Sequence, residues 1–237
     1  MAMGCPFGTH RVLEPAGSLP QPAWKVDNNL HTLYDNEILI EVDLLNIDAA
    51  SFTQMKKEAG GRPEEIAGMI MDTVGSRGKQ HNPVTGSGGM LIGRVARIGT
   101  YLKEVKRIDL QEGDRIATLV SLSLTPLAIE GVKSVNVHTG QVAVRARAVL
   151  FESGIYARLP ADIPEKLSLA ILDVAGAPAQ TARLVKPGDT VLVVGGGGKA
   201  GLLCLYEARK RAGVTGRVMG LGPSDRSVAR MKELGVC

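Results

Sequence analysis

The run from Thr190 to Gly201, TVLVVGGGGKAG, restricts the fold more than any other stretch of the chain. Its apolar, β-branched first half predicts a buried strand, and the residues from Lys199 to Ala212 predict a helix. Between them Gly196, Gly198 and Gly201 satisfy G-x-G-x-x-G. At this junction glycines allow a tight turn, a close backbone approach to a pyrophosphate and close packing of helix on strand. The helix start offers free N–H groups to an anion. A phosphate loop of the G-x-x-x-x-G-K-[ST] kind fails at both ends, because Val193 and Ala200 stand where Gly and a hydroxyl are required. A dinucleotide is therefore the better ligand, with Gly196, Gly197, Gly198, Lys199, Ala200 and Gly201 as its cradle.

A second strand is expected at Arg217–Leu221, followed by a helix from Ser224 to Leu234. Gly222 occupies the place where an acid would favour NAD. Ser224 and Arg226 suit a 2′-phosphate and Asp225 suits a hydroxyl, so these residues leave NAD and NADP both open. A doubly wound dinucleotide domain needs about six strands and roughly 150 residues. Only two strands follow Thr190, which gives the expectation of a fragment of a longer enzyme, inactive by itself.

The first part of the chain has a different rhythm. NEILIEVDLLNI (36–47) places Ile38, Ile40, Val42 and Leu44 on one side and Glu37, Glu41 and Asp43 on the other, the period of a half-buried strand. Further strands are expected at 90–98, 115–122 and 141–150, with glycine-rich turns between them. PEEIAGMIMDTVGS (63–76) predicts a helix with Ile66, Met69, Ile70, Met71 and Val74 near one face, within a charged segment, 56–79, expected to be a surface excursion. Residues 164–185 predict helix with a break near Gly176 and Pro178. The fold class is mixed α/β: a GroES-like, partly closed β-barrel over residues 1–155, then the first part of a Rossmann-type parallel sheet over 156–237.

Composition narrows the function. With 44% hydrophobic and 22% charged residues, the chain reads as an ordinary soluble globular protein. Aromatic residues are only 3%, which gives little stacking surface for single-stranded nucleic acid. The net charge of +4 comes from scattered Lys and Arg and favours an anionic small ligand over a DNA face. Cys5, Cys204 and Cys237 are odd in number and far apart, which points to a reducing compartment, the cytoplasm, and away from a disulfide framework. No apolar run reaches the roughly 18 residues of a membrane span. His10, His31, His81 and His138 lack metal-ligand spacing and are expected at the surface or in hydrogen bonds, so no metal is expected.

Gly113-Asp114-Arg115, Leu159-Pro160 and KPGDTVLVVGGGGKAG together resemble the medium-chain dehydrogenase/reductase superfamily, without the Cys and Gly-His-Glu of its zinc members. Longer phrases, GCPFGTHRVLEPAGSLPQPAWK, DNEILIEVDLLNIDAASFTQ, NPVTGSGGMLIGRV, GDRIATLVSLSLTPL, FESGIYARLP and DVAGAPAQTARLVKPG, resemble the L-erythro-3,5-diaminohexanoate dehydrogenase family of bacterial lysine fermentation. That resemblance implies NAD-dependent oxidative deamination of 3,5-diaminohexanoate to 5-amino-3-oxohexanoate and ammonia. It also implies a homo-oligomer, dimer or tetramer, for the full-length protein, while composition speaks against nucleic acid and membrane as partners.

Such a reaction needs a base or proton path, an anion for the retained ammonium and a group that positions water. Asp48 and Ser51 lie in the loop where the superfamily places a metal ligand and a relay hydroxyl, and Ser87 and Thr85 lie in the second such loop. Glu152 and Asp173 flank the approach to the nucleotide domain. Asp48 is equally readable as a helix cap. Arg11 and Lys25 could meet the substrate carboxylate, but each reads more readily as a solvated surface charge. The rival readings are a zinc-free quinone or enone reductase, and a non-catalytic interaction protein completed by a partner chain.

Overall fold

The computed structural model describes residues 2–237. The chain divides into two compact units, Met1–Leu169 and Ala170–Cys237. The first contains strands β1 (Val12–Glu14), β2 (Lys25–Val26), β3 (Glu37–Ile47), β4 (Gly89–Ile98), β5 (Arg115–Thr118), β6 (Leu127–Asn136), β7 (Gln141–Phe151) and β8 (Tyr156–Arg158), with helices α1 (Ala49–Glu58) and α2 (Pro63–Arg77). Helix α3 (Glu165–Leu172) straddles the division. The second unit holds α4 (Gly176–Leu184), β9 (Thr190–Val194), α5 (Lys199–Ala212), β10 (Arg217–Leu221) and α6 (Asp225–Leu234).

Six strands of the first unit pair antiparallel in the order β6-β7-β3-β4-β5-β8. β6 and β8 are edges, so the sheet is partly open and wraps one core without closing. β3 lies between β7 and β4, and its alternation departs from the simple period. Ile38, Ile40 and Val42 face the core, but Leu45 and Ile47 do so next, not Leu44. The register shifts between Val42 and Leu44 against both neighbours, and a one-residue bulge there exchanges the two faces. Beyond the bulge, Leu44 and Asn46 therefore share the outer side.

The charged segment 56–79 is not a surface excursion. Ile66, Ile70 and Val74 recur at helical spacing, are at most 3% exposed and belong to the main core. α2 packs them against β6. Its end is anchored by Arg77 and Lys79, which are buried: the Arg77 guanidinium lies 3.8 Å over Trp24, and Lys79 Nζ donates to the carbonyls of Pro20 and Gln21. The strand expected at 115–122 stops at Thr118, and residues 119–125 turn, with Leu122 N donating to Gly89 O.

Two expectations about surface charge are also corrected. Glu37 is 1% exposed, although the pattern placed it on the solvent side, and Arg11 is equally buried against it. Arg11 Nε and Nη2 donate to the two carboxylate oxygens at 2.6 and 2.7 Å, and His10 Nε2 meets Oε1 at 2.8 Å. Burial alone would raise the Glu37 pKa; the hydrogen bonds from Arg11 and His10 outweigh it and hold the value low. Lys25 is exposed.

In the second unit β9 and β10 pair in parallel, residue for residue from Thr190↔Arg217 to Val194↔Leu221. Leu205, Ala208 and Ala212 of α5 pack with Val218 and Met231. The helical stretch 164–185 breaks between Leu172 and Gly176, and Pro178 sits in the first turn of α4, where its missing N–H removes no helical bond. Among the described residues no helix is long and apolar enough to cross a membrane.

Candidate functional site

The glycine loop begins one residue before the fingerprint. Gly195 takes φ +82, which a side chain would strain, and the N–H groups of Gly195 and Gly196 both donate to Leu221 O. Gly201 is fixed by contact: a Cβ there would stand 2.2 Å from Gly195 O and 2.7 Å from Gly196 Cα. Gly198 is the N-cap of α5 and makes no side-chain cap bond. A Cβ on Gly198 would meet only Gly195 O, at 3.4 Å, so its outer side is open. The N–H groups of the first turn, including those of Lys199, Ala200 and Gly201, have no partners within the helix, and the dipole of a 14-residue helix reinforces them. This cradle fits a pyrophosphate.

Lys199 pairs with Asp173 at 3.7 Å. Asp173 thus stands in the second unit beside the glycine loop, as a charge partner of a cradle residue. Ser224 caps α6, its Oγ accepting from Ser227 N at 3.3 Å, and Arg226 is exposed in the first turn. One residue escaped the sequence reading: Arg230 Nη1 donates to Gly197 O at 3.4 Å. The signal was available, since Arg226 and Arg230 are four apart on one helix face.

A second polar cluster lies in the first unit where β3 runs into α1. Asp48 is the N-cap of α1: Oδ1 accepts from Ala50 N at 3.1 Å and from Ser51 N at 3.0 Å. Ser51, fully buried, points its hydroxyl at Thr85 Oγ1 (2.5 Å) and Ser87 Oγ (3.0 Å), which are 3.2 Å from each other. The loop that carries Thr85 and Ser87 is fixed by Asn82, whose Oδ1 accepts from Val84 N and Thr85 N, whose N–H donates to Ser87 O and whose Nδ2 donates to Gln54. Asp48 N donates to Gly88 O at 3.4 Å, closing the cluster.

Several buried atoms here have no hydrogen-bond partner: Asn46 Oδ1, Asp48 Oδ2, both amide atoms of Gln80, and His81 Nδ1. His81 is half-buried, and its Nε2 would lie 4.0 Å from a Cβ on Gly86, between Thr85 and Ser87. Burial, with Lys79 and Arg77 nearby, pushes its pKa down and favours the neutral ring. Spacing along the chain gave no hint of this position, because the loop from His81 to Ser87 is folded around Asn82.

Glu152 does not join this cluster. It follows β7 at the end that pairs with Glu37, whereas Asp48 follows the far end of β3; eleven strand residues separate the two ends, on the order of 30 Å. Its carboxylate is engaged by Lys106 Nζ at 2.6 Å and Asn36 Nδ2 at 2.9 Å, and these bonds keep its pKa low. Among the described residues no three His, Cys, Asp or Glu side chains assemble a group able to hold a metal ion.

Residues 10–160 match the family model of the L-erythro-3,5-diaminohexanoate dehydrogenase N-terminal domain. The L-erythro-3,5-diaminohexanoate dehydrogenase of Acetoanaerobium sticklandii is 57% identical over 233 residues, 98% of this chain and 67% of that protein. The chain belongs to this family. The Fusobacterium nucleatum enzyme of the same name is 55% identical over 99% of this chain and 67% of its own length.

Among solved structures, a Pseudomonas syringae quinone oxidoreductase superposes with a TM-score of 0.50 at 18% identity, over 88% of this chain and 51% of that one. The CurF ER cyclopropanase of the curacin A biosynthetic pathway gives 0.51 at 12% identity, over 96% and 58%. The chain thus spans little more than half the length of these structures. At such identities they support the fold: mixed α/β, of the medium-chain dehydrogenase/reductase kind.

Proposed function

We propose that the chain belongs to an enzyme that oxidatively deaminates L-erythro-3,5-diaminohexanoate with a nicotinamide cofactor, NAD being the expected partner. The observation that carries this reading is the 57% identity to the A. sticklandii enzyme across 98% of the chain. The balanced reaction takes the C3 ammonium compound, NAD⁺ and water to 5-amino-3-oxohexanoate, ammonium, NADH and one proton.

The residues supply what that chemistry requires. Gly196 to Gly201 and the start of α5 hold the cofactor pyrophosphate, with Ser224, Arg226 and Arg230 at the neighbouring helix. NAD, when bound, accepts the hydride from C3. The amine must first lose a proton, and the chain of hydroxyls leads from buried Ser51 to half-buried Thr85 and Ser87. The same hydroxyls suit the water that attacks the imine carbon. The three free cysteines suit a cytoplasmic enzyme.

The test is a chimera in which the remaining third of the A. sticklandii protein continues this chain after Cys237. NADH and ammonia formed in equal amounts from 3,5-diaminohexanoate would support the reading. Turnover of a quinone or an enone, with indifference to the diamino acid, would overturn it.

A further inference from the structure

Asn46 and Asp48 leave β3 two residues apart, so an extended backbone projects both side chains to one side, away from the barrel core. Each presents a buried oxygen with no partner: Asn46 Oδ1 on a residue 2% exposed, and Asp48 Oδ2 on a carboxylate whose other oxygen is committed to the α1 cap. No bond fixes the Asn46 amide in one orientation. The backbone that carries them is pinned, because a Cβ on Gly89 would lie 2.0 Å from Asn46 O and 2.9 Å from Asp48 N. Two unsatisfied acceptors, one of them charged, call for a cationic N–H donor.

Building on the diaminohexanoate reading, we propose that Asn46 and Asp48 seat the ammonium group that the substrate keeps, the one on C5. A carboxylate stabilises the charged form of an amine beside it. That opposes the proton loss needed at C3 and suits the group that stays an ammonium. The negative charge of Asp48 exceeds the half-charge of the α1 N-terminus, so the helix does not repel the cation. Asp48 is the N-cap and Ser51 the third helical residue, about one turn or ~5 Å apart. Asp48 Oδ1 already lies 3.0 Å from Ser51 N, and the two nitrogens of a 1,3-diamine are held apart by only three carbons. C5 at Asp48 therefore brings C3 to the Ser51 hydroxyl cluster.

The test uses Asp48→Asn, which keeps the helix cap, and Asn46→Leu, both in the completed chimera. Asp48→Asn should raise KM for 3,5-diaminohexanoate about 10- to 100-fold with a smaller change in kcat, and Asn46→Leu should raise it several-fold. With 3-aminohexanoate, which lacks the C5 ammonium, parent and Asp48→Asn should behave alike. Equal losses on both substrates would place Asp48 at the reacting amine and overturn the proposal. If the parent forms no NADH from 3,5-diaminohexanoate, the functional reading fails first. The site is then judged on the 237-residue chain, by the shift of the Asn46 side-chain amide resonance on adding the diamino acid. A shift abolished by Asp48→Asn supports it, and no shift in the parent overturns it.

Discussion

The hydroxyls of Ser51 and Thr85 lie 2.5 Å apart although 34 residues separate them in the chain. One is held by the first turn of α1 and the other by a loop ordered around Asn82. Ser51→Ala removes the buried end of this chain without disturbing the Asp48 cap, which uses the Ser51 backbone. The expected result is a fall in kcat of about 10- to 100-fold with KM within a factor of about two. Steady-state kinetics on the completed chimera check it, and an unchanged kcat would take Ser51 out of the proton path.

The glycine loop makes a separate prediction about the cofactor. A side chain at Gly201 would drive α5 away from Gly195 and Gly196. Gly201→Val should therefore weaken NAD binding by more than about tenfold. Gly198→Ala, whose Cβ meets only Gly195 O at 3.4 Å, tests the ligand side of the loop and should weaken binding while leaving the fold intact. Fluorescence titration with NADH, alongside circular dichroism, distinguishes the two. Equal affinity in the Gly198 variant would mean that the backbone does not approach the pyrophosphate there.

The elements that the sequence disclosed were those with a single, local cause. The glycine loop, β9, α5, β10 and α6 were legible because strand, turn and helix signals follow one another without interruption. Likewise α2 was legible, because Ile66, Ile70 and Val74 recur at helical spacing. What stayed hidden had a non-local cause. Leu44 and Leu45 exchange faces because of a bulge that only strand pairing reveals. Glu37 is buried because Arg11, 26 residues away, meets it with a two-bond fork. β6 was missed because Gly131 and two register shifts interrupt its alternation. In the site, Ser51 and Ser87 were nameable from their loops, and the structure brings them together. Glu152 looked eligible along the chain but lies at the other end of the sheet. Arg230 could have been found from its spacing to Arg226, but nothing local marked His81.

The Arg11–Glu37 pair anchors the N-terminal segment to β3. Glu37→Gln leaves the Arg11 guanidinium buried beside an uncharged partner and should cost about 3–5 kcal/mol. The acid response follows from the same bonds. Glu37 has its pKa lowered in the folded state, so its contribution is fully present above the unfolded carboxylate value and is lost as pH falls through the folded one. Urea unfolding should show the parent losing more stability than Glu37→Gln between about pH 6 and pH 3. Parallel curves would mean that the pair carries no net charge stabilisation.

Lys79 gives the opposite dependence. Burial, with Arg77 adding repulsion, takes its amine from the ordinary 10.5 to about 8. Below about pH 8 the amine is protonated in both states and the burial penalty is present in full. From there to about 10.5 the unfolded chain holds the proton that the folded one has released, so stability rises with pH. At about 1.4 kcal/mol per pH unit over about 2.5 units the gain is at most about 3.5 kcal/mol. Lys79→Met removes the titration and leaves the carbonyls of Pro20 and Gln21 without their donor, so it lowers stability at every pH while flattening the slope. Urea unfolding of parent and variant at pH 7.5 and pH 10 isolates the difference from the other groups that titrate in that range. A gain confined to the parent shows that this lysine is folded into the protein as a charge at neutral pH. Equal gains would place the proton on the amine in folded and unfolded chains alike.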